Sequence, residues 1–505
     1  MNDSEPVSKG AGMAGENSSL RKGRLGVFGI VFFVVAASAP LVGMTGAVPV
    51  AMVLGNGAAT PGAYLAAGIT LLIFSVGYAA MSHHVTNTGA FFAFVGRGLG
   101  MKAGVASAYA SLVGYITIQL AIYGFFGLVM NITMADYGLN LSWWVWALIS
   151  WLLVIVLSVL SVDVGAKILG TLLVIELFSL LLVGLAIFAK GGPESMDFGA
   201  SFNPSDVFAG GFAGTAGIAL AFAFASFIGF EATAIYGEES RDPKRDVPKA
   251  TYLAIVTISV LFAFVSFAMV LGMGSSKAVE QVLARSGDLA DPAGVLFSLG
   301  GEYVGTWIVD VMKILVLTSL FAGLLAFQNA ASRYFFAMGR AGVMPKRLAT
   351  TNDSGAPQMA SIVTSAIAGI VIVIFAAGGL DPYTKLFSWM SGISVIAIVA
   401  IEILVSLAVL RYFSSQGGGN VFKTKVAPLA SIVLLVGGLY LLMSRFNLLA
   451  GTVAAEVDPT LPESAWKLSG LGWFLVLSPF IAMLVGLVVA SKSKSKNESL
   501  TRDFS

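Results

Sequence analysis

Read from its N-terminus, the chain alternates long apolar runs with short polar connections. A polar stretch, 1–24, ends in Arg21, Lys22 and Arg24, after which Leu25 to Ser82 carries no charged residue. Crossing a hydrocarbon core takes about 20 apolar residues. On that scale the pattern predicts twelve spans near 25–53, 61–83, 101–131, 142–161, 164–189, 213–239, 248–274, 304–336, 357–378, 383–411, 425–445 and 467–490. The runs are too long for barrel strands and lack their strict alternation, so they read as helices. Ala37-Ser38-Ala39 imitates a signal-peptide cleavage site, but Pro40 directly after it disfavours cutting, and the later spans need an uncleaved first helix.

The connections differ in sign. Basic residues such as Arg97, Lys102, Lys167, Arg245, Arg333, Arg347 and Lys423 fall on the side of the N-terminus, and Asp136, Glu194, Asp206, Glu280, Asp381 and Glu456 on the other. The positive-inside rule then puts both termini in the cytoplasm of a multi-pass plasma-membrane protein, as an even number of spans requires. The loops are short, so the expected organisation is a tail (1–24), one membrane domain (25–490) and a second tail (491–505).

Composition narrows the chemistry. Of 505 residues 57% are hydrophobic and 11% charged, against about 25% charged in soluble domains, so the lipid bilayer is the expected surrounding. A net charge of +2 from 29 basic and 27 acidic residues does not suggest nucleic acid. With no cysteine and only His83 and His84, thiol chemistry and a cysteine- or histidine-rich metal site are excluded. No paired catalytic groups, cofactor motif or pore loop appears, so no cofactor is expected and an enzyme or channel is disfavoured.

Two spans are interrupted. Span 1 reads Ala36-Ala37-Ser38-Ala39-Pro40-Leu41-Val42-Gly43 at its midpoint, and span 6 reads Phe224-Ala225-Ser226-Phe227-Ile228-Gly229-Phe230-Glu231. Pro40 frees a carbonyl one turn earlier and suits the first position of a new half-helix. Each feature alone is also explained by a kink or by close packing. Interruptions five spans apart are the expected mark of an inverted-repeat transporter with a central site. A broken helix offers free N–H groups at the start of its second half and free carbonyls at the end of its first. An amino acid zwitterion matches both, with its carboxylate near Ala39 to Gly43 and its ammonium near the carbonyls of Ala36, Ala37, Phe227 and Ile228.

Ionisable groups inside spans each cost about 2.5–3.5 kcal/mol at a helix centre and need a partner or a purpose. Asp310 and Lys313, three apart on span 8, read as a snorkelling ion pair, and Glu402 as a structural or gating partner of Arg411. Glu176 sits mid-span with no base within a turn. With Thr318 and Ser319 it is either a sodium site or a proton-carrying carboxyl, the bland alternative being a neutral acid bonded in the core. Tyr115, Gln119 and Tyr123 share one helix face, which either lines a cavity or packs; Trp389, Ser391 and Gly392 carry the same two readings. His83 and His84 read as interfacial.

Three stretches carry a family resemblance: Phe224 to Pro248 (FASFIGFEATAIYGEESRDPKRDVP), Thr318 to Pro345 (TSLFAGLLAFQNAASRYFFAMGRAGVMP) and Thr88 to Gly100 (TGAFFAFVGRGLG). They resemble the sixth helix with its basic loop, the eighth helix with its exit, and the re-entrant segment of the amino acid/polyamine/organocation permeases. The resemblance implies an all-α fold of twelve helices with the five-plus-five inverted repeat of the bacterial leucine transporter (about 25–189 and 213–411), two further helices at 425–490, and substrate between broken helices 1 and 6. It makes Phe227 part of an aromatic gate and Glu231 the glutamate after the helix 6 break. It sets Glu176 within about a residue of a lysine that many relatives carry in helix 5. Where many amino acid permeases show Gly-Ser-Gly, this chain has Ser38-Ala39-Pro40-Leu41, closer to some polyamine importers.

The expectation is a secondary importer of an amino acid or related amine working by alternating access, coupled to protons or else to sodium. Its substrate site would comprise Ala37, Ser38, Ala39, Pro40, Gly43, Tyr115, Gln119, Phe224, Phe227, Ile228, Gly229 and Trp389. Glu176, Glu231, Thr318 and Ser319 would serve coupling or gating. A carboxylate-free amine importer and a non-transporting nutrient sensor are the rivals.

Overall fold

Backbone lying in hydrocarbon must satisfy its own N–H and C=O groups, which a helix does within a single segment. The computed structural model describes residues 26–84, 90–159, 166–231, 233, 240–352, 356–417 and 419–492. It is all-helical, with no β-strand among the described residues. The principal helices are α1 (Val27–Ala37), α2 (Thr60–Ser82), α3 (Ala90–Leu99), α4 (Met101–Ala135), α5 (Trp143–Val159), α6 (Ala166–Lys190), α7 (Ala216–Ala225), α8 (Pro243–Met273), α9 (Thr306–Arg340), α10 (Gln358–Ala377), α11 (Ser388–Gln416), α12 (Ala427–Ser444) and α13 (Gly470–Lys492). The tail 1–24, residues 493–505, Thr88 and Gly89, the junction 160–165 and most of the inner end of span 6 (232 and 234–239) lie outside the described residues.

Among the described residues nine helical runs are long and apolar enough to cross a membrane, or ten if Pro204–Ala213 and Ala216–Ala225, bent by 113°, form one span. One run, Val27–Ser82, is 56 residues long, far more than a core of about 30 Å accommodates at 1.5 Å per residue. It is interrupted at Ser38–Ala39 and again near Gly57, where φ is +56°. Most expected boundaries fall within a few residues of the helices. Helix α8 begins five residues before its expected start because Pro243, at its first position, suits a helix N-terminus. The segment 275–303, expected as a plain external connection, contains helices Ala278–Ser286 and Ala293–Tyr303, joined by the Arg285–Glu302 ion pair at 2.8 Å.

Helix α4 is the central post: it packs against α3, α5, α9, α11 and α13. Helix α8 packs on α1 and α2, and α7 on α2, α11 and α12. The outer faces of α12 and α13 expose aliphatic side chains such as Val433 and Leu484, as lipid-facing helices do. Helix α3 can lie on α11 because Gly98 has no side chain: a Cβ there would come 2.3 Å from the carbonyl oxygen of Ala408.

Lys313 does not pair with Asp310. Its Nζ reaches Asp136 Oδ2 at 2.8 Å, while Asp310 is exposed. Asp136 caps the C-terminus of α4, where the last carbonyls add to the carboxylate's attraction for a cation. At the C-terminal end of α12 the fully buried Arg445 gathers the following loop. Its guanidinium donates to the Leu461 carbonyl (2.8 Å), the Ser464 hydroxyl (2.8 Å) and the Pro459 carbonyl (3.0 Å).

Two outcomes follow from this packing. Gly98→Ala will destabilise the protein by about 1–3 kcal/mol, because the atom it meets is backbone and cannot step aside; thermal unfolding in detergent measures it. Arg445→Met will leave buried acceptors unmatched at about 1–3 kcal/mol each. Limited proteolysis will then cut within 451–469 sooner than in the parent.

Candidate functional site

The break in helix 1 follows from two adjacent residues. Proline disfavours the right-handed helical conformation in the residue before it, and Ala39 takes the left-handed one instead (φ 42°, ψ 69°). Ser38 turns back onto its own helix, donating from Oγ to the Val35 carbonyl at 2.7 Å. Pro40 then opens a second helical run, 40–56, in which Gly43 lies so close to the Phe262 ring that a Cβ would come within 2.3 Å of it. The first amides of a helix have no intrahelical partner. Pro40 has no N–H to offer, and the Leu41 N–H donates to Glu176 Oε1 of α6 at 2.7 Å. The Ser319 side chain of α9 lies beside the same carboxyl. A carboxylate from another helix thus caps the second half of helix 1, at the end where its partial positive charge lies.

Helix 6 is interrupted after Ala225. Gly229 has φ +112°, which an L side chain rarely adopts, and its N–H donates to Glu231 Oε2 at 2.9 Å. The other oxygen, Oε1, accepts from the Tyr115 hydroxyl of α4 at 2.6 Å, and the Glu231 carbonyl accepts from the Tyr78 hydroxyl of α2 at 3.0 Å. A Cβ built on Gly229 would come 3.1 Å from the Cβ of Ala37. The two breaks therefore face each other, with a buried carboxyl bonded to the backbone of each.

The structure brings Ala37, Ser38, Ala39, Pro40, Gly229, Glu176, Ser319, Glu231 and Tyr115 into this centre. Phe224, Phe227 and Ile228 line a narrow cavity on another face of the helix 6 break, together with Leu71 of α2, Phe230 and Glu402 of α11. Gln119 is engaged elsewhere: its amide donates to Gln328 Oε1 (2.9 Å) and the Leu324 carbonyl (3.3 Å), tying α4 to α9. Trp389 donates from Nε1 to the Ala450 carbonyl at 2.7 Å, beside the loop that follows α12. Thr318 bonds back to the Leu315 carbonyl at 3.0 Å, so only Ser319 of the adjacent hydroxyls meets Glu176. Tyr123 is buried, and its hydroxyl has no hydrogen-bond partner. His84 stacks near Tyr412 and Phe413 at the end of α2, and His83 is exposed.

Glu402 departs from the expected pairing with Arg411: it is buried while Arg411 is exposed, and Glu402 is in neither of the described ion pairs. The two lie nine residues apart on one helix, and Glu402 turns into the bundle beside helix 6.

Above the centre, the Tyr383 hydroxyl donates to the Gly46 carbonyl at 2.5 Å, and Phe125, Phe222 and Phe387 pack with Tyr383 into an aromatic cluster. These contacts close over the second part of helix 1. Tyr78 and Tyr383 had no mark in the sequence beyond aromaticity. Gln328 had one, as an amide at mid-span opposite Gln119.

The Amino acid permease family model matches residues 29–494. The chain is 24% identical over 436 residues to the histidine permease HisP of Lactococcus lactis, covering 84% of this chain and 86% of that one. It is 26% identical over 398 residues to the branched-chain amino acid permease BcaP of the same organism, covering 75% and 80%. To the amino-acid permease RocE of Bacillus subtilis it is 26% identical over 303 residues, covering 57% and 62%. A match over nearly the whole length, on a helical membrane protein with two facing breaks at its centre, places this chain in the amino acid permease family.

Proposed function

We propose that the protein is a secondary active importer of an amino acid or a related amine across the plasma membrane, coupled to protons and working by alternating access, with both termini cytoplasmic. The observation that carries this reading is the pair of facing helix breaks, Ser38–Ala39 and Ile228–Gly229, at the centre of the membrane domain. Taking Val27–Ser82 as two crossings, and adding α5 and the broken span through α7, supports a count of twelve and the five-plus-five repeat.

In this reading Glu176 is the coupling group. As a carboxylate it accepts from the Leu41 N–H; once protonated it holds that amide less strongly, and helix 1 is freer to move. Proton uptake and rearrangement of the break are then a single event. Closure on the outer side rests on the Tyr383–Gly46 hydrogen bond and its aromatic neighbours.

One observation favours a second reading, an amine without a carboxylate. Of the first two residues of the 40–56 run, Pro40 has no N–H and Leu41 has donated its own to the protein. The anion-binding end of the half-helix is therefore less available than the carbonyl end of α1.

Uptake by purified protein in liposomes, with an inward proton gradient and no sodium, tests the proposal on labelled amino acids and their decarboxylated analogues. Concentrative uptake that collapses with an uncoupler is the expected result; a requirement for sodium would remove proton coupling, and the absence of any transport would favour a sensor. Glu176→Gln will lower gradient-driven accumulation about 5-fold or more, the lower end of typical coupling, while leaving substrate exchange. Tyr383→Phe removes a hydrogen bond that holds the outer side shut. It will raise labelling of an Ala37→Cys probe by an impermeant maleimide about 2- to 10-fold, the factor that 0.5–1.5 kcal/mol represents, in a chain with no native cysteine to confuse the readout.

A further inference from the structure

Glu402 has no place in the centre just described. It projects from the inner half of α11 into the cavity beside the helix 6 break, walled by Leu71, Phe224, Phe227, Ile228 and Phe230. It is 2% exposed, and its Oε2 has no hydrogen-bond partner. Buried carboxyl oxygens are normally matched, and an orphan among hydrocarbon walls is costly. Glu231, whose two oxygens are already engaged by Tyr115 and Gly229, lies within electrostatic reach of Glu402. Two acidic side chains thus flank one helix break, and neither belongs to an ion pair among the described residues.

What such a cavity lacks is a cation. An ammonium, guanidinium or imidazolium group would match the orphan oxygen and sit among the Phe224, Phe227 and Phe230 side chains that wall the cavity. A neutral aliphatic side chain would fill the apolar walls and leave the carboxyl unmatched. We propose that the cavity is the side-chain subsite for a cationic substrate, with Glu402 as the residue that selects for positive charge. This rests on the transport reading above and names its substrate class. The cavity is narrow in the closed conformation, so an occupant must part the aromatic walls. Phe227 and Ile228 are part of the helix 6 break itself, which makes filling the subsite and moving the break one step.

The test compares lysine with norleucine, which shares its α-carbon groups and aliphatic stem but lacks the ammonium. Uptake of each is measured in proteoliposomes of the full-length parent and of Glu402→Gln. Lysine is expected to be transported with the lower KM by the parent, and the substitution to raise its KM about tenfold or more while norleucine stays within about twofold. Retained norleucine uptake also shows that the variant folds; if it is lost, binding of lysine to the parent, displaced by norleucine only at about tenfold excess or more, decides the same point. Preference of the parent for norleucine would overturn the subsite while leaving the protein an amino acid importer. Equal loss of both substrates in a folded Glu402→Gln protein would also overturn it, making Glu402 a group for the transport cycle rather than for the substrate. Transport of neither amino acid by the parent would overturn this inference, while the wider uptake screen above decides the amino acid reading separately.

Discussion

The fold turns on the need to satisfy backbone groups that two broken helices leave open in a medium without water. Each break exposes amide and carbonyl groups that cost several kcal/mol when buried unmatched. The protein answers with carboxyls: Glu176 from α6 receives the Leu41 amide, and Glu231, held by Tyr115 of α4, receives the Gly229 amide. Because Glu176 comes from α6 and Tyr115, which holds Glu231, from α4, the breaks are fixed relative to those helices as well as to each other. On the proposed function, a substrate carboxylate or a proton on Glu176 that displaced one of these bonds would loosen the helix at its break. Binding and conformational change would be linked for that reason.

Around this centre the helices divide the work. Helix α4 forms the post on which α9 and α11 rest, pinned by the Gln119–Gln328 bridge and by Ser394 donating to the Gly114 carbonyl at 2.8 Å. One end is packed with aromatic rings and the Tyr383–Gly46 bond, and the loop that Arg445 gathers lies at the C-terminal end of α12. Small residues allow the close contacts: Gly43 lies under Phe262 and Gly46 against Phe125. The aromatic groups around Tyr383 therefore bear directly on the half-helix that Glu176 caps.

Much of this was legible in the sequence because hydrocarbon imposes strong rules. Span lengths, the proline in helix 1 and the glycine followed by glutamate in helix 6 follow from local chemistry, and so does the mid-span position of Glu176. Long-range partner choice did not. Lys313 is three residues from Asp310, yet it meets Asp136 from the end of another helix, since sequence spacing does not report what packs alongside. Glu402 looked like a partner for Arg411 for the same reason. Tyr115 and Gln119 share a helix face by spacing, but four residues of rise separate them. One meets the helix 6 carboxyl, and the other meets an amide of α9.

The central claim is that the two breaks form one site on which transport depends, and a double cysteine at Ala37 and Ile228, the neighbour of Gly229, tests it most directly in this cysteine-free chain. The account predicts that a short, reducible bifunctional thiol reagent cross-links the pair, that the cross-link stops uptake, and that reduction restores it. Folded protein whose two cysteines both react with a permeant maleimide but do not cross-link, or which transports unchanged when cross-linked, would contradict it.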